Sequence, residues 1–245
     1  MAFELEVFCK ERTTSEVIPG CFGSGRDVTY LDWILSAWGW TLSVALLALL
    51  LALVLGIAIG IIRTAPSKGM AFFGEAWTEV FRNNPLIVQI FLWYHVLPAI
   101  FKPLQGVPSS VLVVFALGCF TSARIGEQVK AGINTLSRGQ RYAGLAMGLT
   151  LPQTYRYVLL PMALRIIIPP LTSEAMNIVK NSSVAFAVSI AELTFFAQQS
   201  AEETSQPVLM FGAATLLYFV SAFAINRVAK VIEKHVQVPG MLGAK

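Results

Sequence analysis

Apolar residues fall along this chain in long blocks, with polar residues confined to the gaps between them. The pattern predicts an all-α integral membrane protein with about five transmembrane helices. The first span runs approximately from Trp33 to Ile62, and the second from a break at Pro85 to about Leu97. The third runs from near Ser110 to Ile133, the fourth from near Met162 to about Ile190, and the fifth from Val208 to about Arg227. A transmembrane helix takes about 20 mostly apolar residues, and the chain has room for roughly five with their connections. Pro85 must break or kink its helix, and Pro169-Pro170 should disturb the first turns of the fourth span.

The gaps carry their own signals. Residues 1–31 form a polar N-terminal segment with Glu4, Glu6, Glu11, Glu16 and Asp27 and a loop-forming GCFGSG run, ahead of a membrane domain over 32–245. From Gly69 to Arg82 an amphipathic segment leads into the second span, and PAIFKPLQGVPSS reads as an outer turn. AELTFFAQQSAEETSQP reads as an outer loop carrying Glu192, Glu202 and Glu203. Trp33, Trp38 and Trp40 are placed like an aromatic belt at the outer end of the first span.

Orientation follows from Lys and Arg. Arg63 and Lys68 follow the first span, a basic loop follows the third, and Arg227, Lys230 and Lys234 follow the fifth, so these ends face the cytoplasm. The N-terminus and the acidic loop are then periplasmic and the C-terminus cytoplasmic. No secretory signal peptide is visible in the acidic, mixed start. The composition agrees: 56% of the 245 residues are hydrophobic, 13% are charged and the mean hydropathy is +0.66, too apolar for an ordinary soluble domain. The net charge of +4 is read by location rather than by sum, and no nucleic-acid partner is expected.

The basic loop, Ser137 to Arg165, holds Arg138, Arg141, Arg156 and Arg165 and no acidic residue. Ser137 with Gln140, and Thr150 with Gln153, have the spacing of capping boxes, which predicts two short helices. Gly144 and Gly148 leave room for close backbone approach, and Pro161 stops the second helix. Such a charged helix–bend–helix over 137–161 is suited to docking; the plainer reading is an amphipathic cytoplasmic loop.

Charged groups inside spans are costly and mark functional candidates. The third span carries Arg124, Glu127, Gln128 and Lys130 at three- and four-residue spacing, sharing one helix face. The fourth carries Ser173, Glu174, Asn177, Lys180 and Asn181, followed by Ser182. Two such stripes facing each other would line a wet path for a substrate. The purely structural alternative is that Arg124 neutralises Glu127 and Glu174 pairs with a neighbour. Bond chemistry has no visible seat. The chain has no Gly-x-x-x-x-Gly-Lys-Ser/Thr phosphate loop, its only histidines are His95 and His235, too sparse for a metal site, and no nucleophile–base set is present. Cys119 reads as a small buried residue. Cys9 and Cys21 lie in the outer segment, where an oxidising compartment permits a disulfide, and a bridge and two free thiols both stay open.

The spacing of Ala143, Gly148, Val158, Leu160 and Pro161 resembles the EAA loop of ABC-importer permeases, with Tyr142 where that family usually has Glu and Gly144 for its second Ala. FRNNPLIVQIFLWY, TSARIGEQVKAGINTLSRGQ and TSEAMNIVKNSS resemble the polar-amino-acid permeases of bacterial ABC importers, glutamate/aspartate permeases among them. The resemblance covers roughly Tyr30 to the C-terminus. It implies a type I importer fold in the bacterial inner membrane, a second permease subunit (identical or homologous), and a periplasmic amino-acid-binding protein. It also implies an ABC ATPase dimer that binds ATP and Mg, leaving this chain without a cofactor of its own. Residues Arg141, Tyr142, Ala143, Gly144, Gly148, Leu149 and Pro161 would then couple to the ATPase. Arg124 stands where many relatives carry Tyr, and its guanidinium suits an anionic substrate. Glutamate and aspartate are therefore the expected substrates, with their amides next. Another polar amino acid on the same architecture, and a channel-like membrane protein outside this class, stay open.

Overall fold

The computed structural model describes residues 5–23 and 28–236. Glu4, Asp27 and the end of the GCFGSG run lie outside the described residues. Helix α1 (Tyr30–Ile62) begins where Thr29 and Asp32 cap it reciprocally. The Asp32 N–H donates to Thr29 Oγ1 and the Thr29 N–H donates to Asp32 Oδ2, each at 3.2 Å. This exchange satisfies two donors that a helix start leaves orphaned.

Along α1 small buried positions recur every turn, at Ala37, Thr41, Ala45, Ala48, Ala52, Gly56 and Gly60, with the larger Tyr30, Ile34, Val44 and Ile59 buried beside them. Small residues let membrane helices approach closely, where van der Waals packing does the work that hydrophobic burial does in water. The partner is α4 (Ser109–Asn134). A Cβ added at Gly56 would come within 2.6 Å of Ile125 Cβ, so α1 and α4 touch there at backbone distance.

Among the described residues four helices are long and apolar enough to cross a membrane: α1, α4, α6 (Leu151–Val188) and α8 (Pro207–Val236). The predicted second span is α3 (Leu86–Ile100), a shorter apolar helix. It follows α2 (Lys68–Asn83) across Asn84 and Pro85, where Pro85 ends the amphipathic helix as expected. The predicted basic tail is the last turns of α8 itself.

Several expectations are corrected. Pro161 does not stop a helix, because α6 runs through it. A π-turn at Tyr155–Leu159 precedes it, in which the Leu160 N–H reaches back to Tyr155 O. The same device precedes Pro98 in α3, where the Leu97 N–H reaches Leu92 O across the turn Leu92–Val96. A widened turn accommodates the missing donor and the ring clash that proline brings. Pro169 and Pro170 likewise sit inside α6 without interrupting it.

The expected acidic outer loop contains a helix, α7 (Leu193–Thr204). Its N-cap is Glu192, 1% exposed. The Glu192 carboxylate accepts from the Thr194 and Phe195 N–H groups at 2.9 Å and from the Tyr218 hydroxyl at 2.6 Å. Leu193, Phe196 and Ala197 of α7 pack with Ile34 and Ala37 of α1 and Met210 and Ala214 of α8.

Of the expected aromatic belt, only Trp40 is strongly exposed. Trp33 packs edge-on against Phe196, and Trp38 Nε1 donates to Ser221 Oγ at 2.8 Å. Tertiary partners claim two of the three indoles.

Candidate functional site

Helix α4 meets α6 through Arg124, Gln128 and Glu174. Arg124 Nε donates to Glu174 Oε2 at 2.9 Å, and Gln128 Nε2 donates to Glu174 Oε1 at 3.2 Å. The Glu174 side chain is 5% exposed and that of Arg124 43%. The pair therefore has a buried anion and an open cation. Among the described residues neither Nη group of Arg124 has a hydrogen-bond partner, so one edge of the guanidinium holds Glu174 and the other faces outward.

Of the structural alternative, Glu174 does pair with a neighbour, Arg124, but Arg124 does not neutralise Glu127, because the cations and carboxylates pair across helices. Glu127 binds Arg82 and lies 3.9 Å from Arg63 Nη2, while Lys130 Nζ donates to Glu75 Oε1 at 3.1 Å. Glu75 also accepts from Arg63. The result is an alternating chain, Arg82–Glu127–Arg63–Glu75–Lys130, that ties α2 to α4 and to the end of α1. The Arg63 hydrogen bond chiefly holds the Glu75 carboxyl below its ordinary range; burial opposes this and Lys130 reinforces it. Sequence reasoning missed Glu75 and Arg82 as partners. Their only signal was charge on an amphipathic helix.

The other expected pathway residues are less engaged. Asn177 and Asn181 are half-buried, Lys180 is exposed, and none makes a side-chain hydrogen bond among the described residues. Ser182 is buried, with its hydroxyl donating to Val179 O at 2.7 Å near the helix end.

The docking element is α5 (Arg138–Ala146) followed by the first turns of α6. Ser137 precedes α5 without a side-chain cap, and Gln140 Oε1 is buried without a partner, so that expected capping box is not formed. The second one is used: the Thr150 N–H donates to Gln153 Oε1 at 2.8 Å. Between them the chain makes a Schellman turn. The Leu149 N–H donates to Gly144 O at 3.2 Å and the Gly148 N–H to Leu145 O at 3.0 Å.

The two glycines have different reasons. Gly144 permits close approach, since a Cβ there would meet Thr154 Cγ2 at 2.8 Å. Gly148 does not: its Cβ would meet nothing within 4 Å, but its φ is +82°. Tyr142 is 63% exposed and Met147 83%. Ala143 and Pro161 are exposed too, and Arg141 and Leu149 are half-buried, so the element presents an uncovered face. Tyr155, which sequence reasoning passed over, anchors it by donating its hydroxyl to Thr64 O at 2.8 Å, just past the end of α1.

On the opposite end of α1, Cys9 and Cys21 are disulfide-bonded. The loop they close is held down by Arg12. Its guanidinium lies 3.8 Å from the Trp33 ring centroid and donates to Glu203 at 2.8 Å. Tyr30 donates to the same carboxylate at 3.0 Å.

A family model described as "Binding-protein-dependent transport system inner membrane component" matches residues 52–238. The chain is 42% identical over 232 residues to the glutamate/aspartate import permease protein GltJ of Escherichia coli strain K12, which covers 89% of this chain and 93% of that protein. It is 32% identical over 197 residues to the probable glutamine ABC transporter permease protein GlnM of Bacillus subtilis, with 80% and 90% covered. Among solved structures, the crystal structure of an amino acid ABC transporter with histidines aligns with a TM-score of 0.74 and 26% identity, over 84% of this chain and 95% of that one.

Proposed function

The chain belongs to the family of binding-protein-dependent transport system inner membrane components, and on that premise we propose that the amino acids it carries are the acidic ones, glutamate and aspartate. It is an inner-membrane permease subunit of an ABC amino-acid importer, and ATP hydrolysis belongs to a separate subunit. The observation that supports acidic cargo is the Arg124 guanidinium. Glu174 takes its Nε edge, and its Nη pair has no hydrogen-bond partner among the described residues. A planar fork of this kind suits a carboxylate held by two parallel hydrogen bonds. Glutamate and aspartate offer a second carboxylate that other polar amino acids lack.

The remaining parts follow from the same reading. Tyr142, Met147 and their neighbours dock on one member of an ATPase pair that binds ATP and Mg. A second permease subunit completes the pathway, and a periplasmic binding protein delivers cargo to the side where residues 1–31 lie. Rigid-body switching of the spans then moves cargo inward. Another polar amino acid is the second reading, favoured by the likeness to a glutamine permease and to a transporter crystallised with histidines.

The test uses the complex purified with its own partner subunits and reconstituted in vesicles. The expected result is ATP-dependent glutamate uptake, competed by aspartate but not by histidine or lysine. Preferential competition by a neutral or cationic amino acid would overturn the acidic reading. Flux that equilibrates without ATP would remove the importer mechanism altogether.

A further inference from the structure

We propose that the groove between α1, α6 and α8 holds one anionic phospholipid, its acyl chain between the three helices and its headgroup on the cytoplasmic end of α8. The groove encloses about 580 Å³. Its walls include Leu46 and Leu49 of α1, Leu171 and Ala175 of α6, and Val228 and Ile232 of α8. Among the described residues that line it, Thr172 is the only polar one. Leu46, Val228 and Ile232 are exposed, so the groove opens sideways.

All three walls belong to spans, so the occupant is apolar and comes from the bilayer or from another helix. Side chains around an unfilled void forfeit van der Waals contacts. An acyl chain seated here is touched from three sides, where a flat helix face would touch it from one.

Charge at the rim selects the lipid. Arg227, Lys230 and Lys234 recur at three- and four-residue spacing and so share one side of α8. All three are exposed, and none has a carboxylate partner among the described residues. Around the helix, exposed Val231 falls between this stripe and the groove residues Val228 and Ile232, so the cations border the open side. The only acid of α8, Glu233, is turned the other way, where the Thr172 hydroxyl of α6 donates to it at 3.4 Å. On α6, exposed Arg165 precedes the lining residue Ile168 by three residues and adds a cation toward the cytoplasm.

A second apolar helix would fit the walls equally well, but it would cover unpaired cations at membrane depth, which is costly. A lipid phosphate pairs with them while its chain fills the groove. The same basic rim gives a zwitterionic lipid less, since its own ammonium opposes the attraction.

The test uses the complex purified with its partner subunits and reconstituted in phosphatidylcholine vesicles. These are doped with phosphatidylglycerol carrying a photoactivatable diazirine on its acyl chain, or with phosphatidylcholine carrying the same chain. Crosslinked peptides are mapped by mass spectrometry. Phosphatidylglycerol should label the peptides around Leu46 and Val228 at a lower mole fraction than phosphatidylcholine does. Changing Arg227, Lys230 and Lys234 together to Gln should raise the half-saturating mole fraction at least about tenfold, each basic residue being worth about fivefold. Ala224→Phe, which fills the open side and keeps the charges, should reduce labelling of the groove by both lipids.

Co-purification of the ATPase serves as the assembly control for each variant. Equal labelling by the two lipids overturns the anionic selectivity. An absence of groove labelling in the wild-type complex gives the groove to another occupant, such as the second permease, and overturns the site. Wild-type labelling of the triple Gln variant removes the headgroup from α8 and overturns the proposal as well.

Discussion

Gly148 offers the sharpest test of the docking element, because its reason for being glycine is conformational and not steric. At φ +82° it closes the turn between α5 and α6. An L-residue pays about 1–2 kcal/mol to adopt the left-handed region. Space is not limiting, since a Cβ at 148 would meet nothing within 4 Å. A substitution should therefore shift the turn toward other backbone conformations by about tenfold, since every 1.4 kcal/mol is a factor of ten. The two Schellman bonds at Leu149 and Gly148 would be lost with it.

The turn, together with the Gly144–Thr154 approach across it, sets the direction of α5 relative to the start of α6, so docking geometry should fail while the spans stay folded. A graded series follows from backbone preference. Gly148→Asn should be mild because Asn tolerates this region, Gly148→Leu worse, and Gly148→Val worst because β-branching crowds the backbone. The assay is the ratio of substrate taken up to ATP hydrolysed by the assembled complex in vesicles, with co-purification of the ATPase as the assembly control. If the Gly148→Val complex assembles and couples as wild type does, the turn is not part of coupling.

Other outcomes are expected. Arg124→Gln leaves the buried Glu174 carboxylate without its cation and should lower glutamate uptake at least about tenfold; adding Glu174→Gln should restore assembly but not uptake, whereas restored uptake would reduce the pair to a structural role. Replacing Cys9 and Cys21 by Ala opens a loop of sequence separation 12 and should loosen it by about 3 kcal/mol, read as faster proteolysis before Tyr30; unchanged cleavage would show that Arg12 alone holds the segment. Glu75 is held below its ordinary value of 4.5 in the folded protein. Its contribution is therefore present above that value and lost as pH falls through the lower folded one, so α2 should stay seated at neutral pH and loosen only in strong acid. Fluorescence of Trp77, whose Nε1 donates to Ser122 Oγ at 3.0 Å, reports this, and loosening near neutral pH would contradict it.

What the sequence by itself determined was the set of spans, the basic docking loop and the charged positions inside α4 and α6. Each of those signals is local. An apolar run long enough for a bilayer, a basic loop free of acid, and charges at helical spacing are properties of neighbouring residues. The positions of Arg124, Glu174 and Gln128 were readable for the same reason. Only the tertiary structure decided how the charges pair. The three-residue spacing of Arg124, Glu127 and Lys130 put them on one face, but the nearest counter-charges come from α6, from α2 and from the end of α1. Helix α7 was hidden because its N-cap is Glu192, a residue seldom found there, whose burial depends on Tyr218 a helix away. Pro161 read as a stop because the penalty for a proline in a regular helix is real, yet a π-turn just before it removes much of the conflict. Gly148 and Gly144 look alike in a sequence. One is required by its own φ and the other by Thr154 across the turn, and that difference exists only once the chain has folded.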